Sequence, residues 1–143
     1  MKGELLITSR HLKTGRRKEI MRTNNLVLDQ MYEQLIQLIS GGDADAYVNE
    51  MQYGTGTLAA AADQTFLQKP ITPTKAVSVS VDAPNYTVTF TATLGSSEAN
   101  GFPIAEAGLL TAGDKLVARA TFASQSKTSD YAFDFTWTVT LKS

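Results

Sequence analysis

A chain of 143 residues that is 43% hydrophobic and 19% charged has the composition of one folded domain with its own core. Its formal net charge of −1 excludes a global field directed at nucleic acid or membrane, and the lack of cysteine excludes disulfides, thiolate catalysis and cysteine-ligated zinc. No stretch approaches the roughly 20 apolar residues of a membrane span. The apolar run Leu5–Ile7 is too short for the core of a secretory signal, so a soluble protein not exported by that route is expected.

In chain order, Lys2 to Thr8 reads as a strand, Ser9 to Arg17 as a polar, basic turn around Gly15, and Lys18 to Thr23 as the returning strand of a hairpin spanning residues 2–23. Leu28, Met31, Tyr32, Leu35, Ile36 and Ile39 then recur at helical spacing, opposite Gln30, Glu33, Gln34, Gln37 and Ser40. This predicts a helix over about 26–40 that lays its apolar face on a sheet. Asn24 or Asn25 can cap its start, and Gly41–Gly42 ends it. Tyr47 to Tyr53 reads as a strand. Gly54 to Pro73 reads as a long irregular arm, with a short helical turn near Asp63 to Leu67. Arms of this length are usually functional or disordered.

Alternation dominates the second half. Val77, Val79 and Val81 share one face of a strand. In the next, Tyr86, Val88, Phe90, Ala92 and Leu94 alternate with Thr87, Thr89, Thr91 and Thr93. After a polar loop at 95–101, strands follow at Ile104 to Leu110 and Lys115 to Phe122. In the last strand Tyr131, Phe133, Phe135, Trp137, Val139 and Leu141 alternate with Ala132, Asp134, Thr136, Thr138 and Thr140. Period-two patterning buries one face of each strand. About eight such strands predict a mainly β domain, a two-sheet antiparallel β-sandwich with one amphipathic helix packed on it. A single domain over 1–143 is expected.

Catalysis requires tuned groups held together, and the candidates are thin. His11 is the single histidine, and it lies in a basic turn. Glu98 and Glu106 could form a glycosidase-like carboxylate pair, and Asp43 with Asp45 could ligate calcium, but the EF-hand spacing is absent. Gly54-Thr-Gly-Thr57 lacks the Gly-Lys-Ser/Thr ending of a phosphate-binding loop. The expectation is therefore no enzyme, no catalytic residue, no metal site and no cofactor. The main charge asymmetry is the run Arg10 to Lys18, with five of the thirteen Lys and Arg residues. Lacking interleaved aromatics, it suits a protein partner better than a nucleic acid. The aromatic series of the last strand reads as core. The threonine rows read equally well as solvated surface or as a packing face.

The order of these segments resembles a diffuse set of tailed-bacteriophage structural proteins of the tail, neck and collar. Asn24-Asn-Leu-Val27 opens a helix, and a strand runs into Gly54-Thr-Gly-Thr57 and an alanine-rich piece with Asp63 and Leu67. Then come Val88-Thr-Phe90, Glu98-Ala-Asn-Gly101, Ile104-Ala-Glu-Ala-Gly-Leu109, Leu116-Val-Ala-Arg-Ala-Thr-Phe122 and a terminal strand around Trp137. The resemblance covers residues 18 to 141 and rests on order and spacing. It implies a non-enzymatic virion component, assembled in the host cytoplasm as a homo-oligomer, a trimer being one form, and docked to other virion proteins. Contacts are expected from the hairpin and the arm, through Arg10, Lys13, Arg16, Arg17, Thr55, Thr57, Phe66 and Leu67. No nucleic-acid, membrane or small-molecule partner is expected. The alternative is a carbohydrate- or host-receptor-binding module of a tail fibre, using loops 95–101 and 123–130.

Overall fold

The computed structural model describes residues 1–142. The strands are β1 (Lys2–His11), β2 (Arg17–Val27), β3 (Val48–Gly54), β4 (Pro70–Ala76), β5 (Ser78–Asp82), β6 (Thr87–Leu94), β7 (Ile104–Thr111), β8 (Leu116–Gln125) and β9 (Tyr131–Thr140), with one helix, α1 (Asp29–Ser40). The fold is mainly β, as expected. All pairings between strands are antiparallel. Where the sequence suggested two packed sheets, hydrogen bonding runs through one nine-stranded sheet in the order β4-β3-β7-β8-β2-β1-β9-β6-β5, curled into a nearly closed barrel.

Two features curl the sheet. β2 pairs with β1 along most of its length but with β8 at Leu26 and Val27 alone, so it carries the sheet round a corner. At the other side the two edge strands, β4 and β5, are consecutive in the chain and meet at Val77, whose N–H donates to the Asn49 carbonyl. The inward face of each strand supplies the core: Leu5, Ile7, Met51, Tyr53, Phe90, Leu94, Leu109, Phe135 and Trp137 are almost wholly buried. Each such large apolar side chain contributes about 1.5–3 kcal/mol. The aromatic series of β9 is core, except Tyr131 at its exposed start. Trp137 donates its Nε1–H to Asn25 Oδ1 at 2.8 Å. A Cβ on the neighbouring Gly3 would collide with that Asn25 side chain, so close approach dictates the glycine.

Several elements differ from expectation. β2 runs on to Val27, because pairing with β1 and β8 keeps residues 24–27 extended. Neither Asn24 nor Asn25 caps the helix, which starts at Asp29. Its first free N–H groups are met by backbone instead: Leu28 N–H donates to Val117 and Asp29 N–H to Ala62 on the arm. Gly41 closes the helix in the left-handed conformation, as predicted. The buried stripe of α1 is Leu28, Met31 and Gln34 with Leu35 partly covered, while Tyr32, Ile36 and Ile39 face solvent. The helix is therefore rotated relative to its most apolar face. The arm is shorter than 54–73, since Pro70–Ala76 forms β4; its prolines sit on an edge strand, where a missing N–H costs least. No helical turn forms at Asp63–Leu67. β5 departs from the one-buried-face rule, because Val79 and Val81 remain exposed at the open side of the barrel.

Candidate interaction surfaces

The arm, residues 55–69, covers the outer face of β7 and β8. Register places Glu106, Gly108 and Leu110 of β7 on the same side as Leu116 and Arg119 of β8. On an open barrel this side would be wet. Here Leu67 packs with Leu28 and Leu116 into a small second core, and both Glu106 and Arg119 have no exposed surface. Glu106 Oε1 accepts from Gln68 N–H (2.9 Å) and Arg119 Nε–H (3.0 Å). Its Oε2 accepts from Gly56 N–H (2.7 Å) and Lys69 N–H (2.8 Å). Arg119 Nη1 donates to the Leu58 carbonyl (2.9 Å) and to Gln64 Oε1 (3.2 Å).

One buried carboxylate thus gathers three backbone N–H groups of an irregular segment that has few strand partners of its own. Burial alone would push the Glu106 carboxyl up. The N–H groups of Lys69 and Gln68, the Arg119 guanidinium and the N–H of Gly56 more than offset this and hold it below the usual carboxylate range. Backbone passes so close to Glu106 that a Cβ on Gly54 or Gly56 would collide with it. The Gly-Thr-Gly-Thr segment is therefore an approach to a carboxylate. Sequence reasoning missed this pair as a unit. Its signal was one charge in each of two otherwise apolar strands, Ala105-Glu-Ala107 and Ala118-Arg-Ala120.

The expected contact residues divide accordingly. Leu67 is spent inside the protomer, and Thr55 N–H is held by the Lys69 carbonyl at 2.9 Å. Thr57 is exposed, and Phe66, 79% exposed, stands off the outside of the arm.

The hairpin tip is organised differently. His11 N–H donates to Arg16 and Leu12 N–H to Asp130, which fixes the turn against the loop before β9. His11 Nδ1 accepts from the N–H groups of Lys13 and Thr14, and its ring meets Tyr131 edge-on at 5.1 Å. Arg10 is committed to Asp134, with Nε 3.0 Å from Oδ2, and Thr93 donates to the same carboxylate at 2.7 Å. Burial pushes the Asp134 carboxyl up, but Arg10 and Thr93 bring it below the ordinary aspartate range. Among the described residues, Lys13, Arg16, Arg17 and Lys18 make no ion pair. Arg16, Arg17 and Lys18 border an open groove with His11 and Tyr131.

Loop 95–101 and segment 123–130, whose residues 123–125 belong to β8 and not to a loop as expected, do come together, joined by Gly101 N–H to the Lys127 carbonyl at 3.0 Å. Their charges are turned to structural use. Lys127, 1% exposed, donates to Asn100 and to the carbonyls of Thr128 and Tyr131, and burial pushes its pKa down. Glu98 accepts from Gly95 N–H (2.8 Å) and from Lys75 (2.9 Å), which hold its carboxyl low. Glu98 and Glu106 have separate sets of hydrogen-bond partners. The threonine rows form an uncovered outer field on β6 and β9, with Thr89 opposite Thr138 and Thr91 opposite Thr136. Among the described residues, no group of three His, Cys, Asp or Glu could hold a metal, and no helix is long and apolar enough to cross a membrane. Comparison with protein-family models, curated proteins and solved structures gives no match to this chain.

Proposed function

We propose that the chain is a non-enzymatic structural protein of a tailed-bacteriophage virion, a tail, neck or collar component or adaptor. It works through contacts between its own copies and with other virion proteins. The observation that carries this reading is the hairpin tip, where four cations make no ion pair among the described residues, on a turn tied down at both sides. A rigid, charged projection costs little entropy to dock, which suits assembly. The order of segments from Asn24 to Trp137 supplies the virion context. The arm supports the reading in a second way, since its ion pair fixes Phe66 on a defined surface. The flattened, two-layered packing of a sandwich belongs to the same proposal, with β2 and the β4–β5 junction as its two corners.

The test is sedimentation of the purified full chain over a wide concentration range, together with fractionation of assembled particles. The reading expects self-association and co-purification with particles. A chain that stays monomeric and never enters a particle fraction overturns it. The alternative, a receptor-binding module, draws on the meeting of loop 95–101 and segment 123–130. It requires the isolated chain to bind host cells or a glycan array.

A further inference from the structure

Lys127 keeps 1% of its surface exposed, and a buried ammonium has to be satisfied or neutralised. Its Nζ has three acceptors: the carbonyls of Thr128 (3.3 Å) and Tyr131 (3.2 Å), and Asn100 Oδ1 at 2.5 Å. The contact with Asn100 is closer than the roughly 2.7–3.2 Å of an ordinary N–H···O bond. Asn100 is fixed for it. Its Nδ2 donates to the Ser96 carbonyl at 2.8 Å, its backbone forms a parallel bridge with Lys127, and Gly101 N–H donates to the Lys127 carbonyl at 3.0 Å. The amide carbon, Cγ, lies one C=O bond of about 1.2 Å beyond Oδ1. It is therefore no more than about 3.7 Å from Nζ, close to the roughly 3–3.5 Å from which held groups react.

We propose that the side chains of Lys127 and Asn100 become joined by an amide bond, which the folded chain forms by itself with loss of ammonia. The ammonium first releases one proton to solvent. The two N–H bonds that remain can stay on the carbonyls of Thr128 and Tyr131, which turns the new lone pair toward Asn100. Burial favours this neutral amine, pushing the Lys127 pKa down more than the charge of Glu98 pushes it up. Nζ attacks Cγ, and one further proton passes from Nζ to Nδ2. The Cγ–Nδ2 bond breaks with its electron pair on nitrogen. Ammonia leaves on the solvent side, where Asn100 is exposed, and takes up the first proton as ammonium. No oxidant or co-reactant is needed. Because the fold holds both partners, the step is unimolecular. The bond ties loop 95–101 to the segment between β8 and β9, across a sequence separation of 27 residues. It does not depend on the chain being a virion component.

Intact-mass spectrometry of the purified full chain, fresh and after prolonged incubation, tests the bond. The expected mass is that of the sequence less one ammonia. Trypsin should then yield one branched peptide joining residues 76–115 to 120–142, uncut at Lys127. Lys127→Met and Asn100→Ala should each show their full sequence masses, with circular dichroism to verify the fold; Asn100 is exposed, so its variant keeps the test open where Lys127→Met fails to fold. An unaltered chain that keeps its full mass and is cut at Lys127 overturns the inference. So does an ammonia loss that persists in folded Lys127→Met, because it would come from ring closure of Asn100 onto the Gly101 nitrogen and not from the lysine.

Discussion

The arm and the hairpin tip are two irregular, polar regions that composition marks alike as contact surfaces, yet their internal accounts are opposite. The arm's polar groups point inward: Gly56, Gln68 and Lys69 give their N–H groups to Glu106, and Leu67 joins a small core. The tip's charges point outward: Arg10 has a partner in Asp134, and the cations beyond it have none among the described residues. A loop that satisfies its own backbone through a buried charge behaves as part of the barrel. One whose charges are left over has something to offer a partner. The length of a loop and its glycine content do not separate the two cases; the destination of the hydrogen bonds does.

The sharpest way to break the arm is to remove its anchor. Glu106→Gln leaves Arg119 charged and buried without its counter-ion and turns one acceptor into a donor facing N–H groups. We expect a loss of about 3–5 kcal/mol, read from denaturant unfolding, with proteolytic cleavage appearing between residues 55 and 69. Arg119→Met should cost less, about 1–3 kcal/mol, because Glu106 keeps its three backbone donors. Equal losses for the two would show that the ion pair, and not the backbone cradle, holds the arm. Gly56→Ala, which places a Cβ against Glu106 and Gln68, should also cost about 1–3 kcal/mol, with no effect on association.

Acid should loosen the arm as well. The folded Glu106 carboxyl titrates below its ordinary value of about 4.3. Its contribution is therefore fully present above that value and is lost as pH falls through the lower, folded value. Asp134 and Glu98 shift in the same direction. Unfolding free energy measured against pH should fall on the acid side, and Glu106→Gln should flatten part of that fall. An unchanged acid limb in this variant would contradict the cradle. The smallest effect on stability is expected at the tip: Lys13→Glu/Arg16→Glu should change it by no more than about 0.5 kcal/mol while removing self-association.

Much of the barrel was legible because alternation is a strong signal. The strands around Phe90, Phe135 and Trp137 announce which face is buried. The sheet's closure was not legible, since it depends on β2 changing partners at Leu26 and on a continuous passage through Val77, neither of which has a composition of its own. The helix was recognisable and its rotation was not. Covering the barrel mouth buries Met31 and Gln34 and leaves Ile36 and Ile39 in solvent, a choice made by tertiary packing over local amphipathicity. The basic tip could be read directly.

Amide hydrogen exchange, followed at dilute and at concentrated protein, tests the contrast between arm and tip most directly. The account predicts that the amides of Gly56, Gln68 and Lys69 are protected equally at both concentrations, while those of residues 12–18, already held in the turn, gain further protection when the chain associates. Arm amides that exchange freely in the monomer and slow on association, with a tip indifferent to concentration, would contradict it.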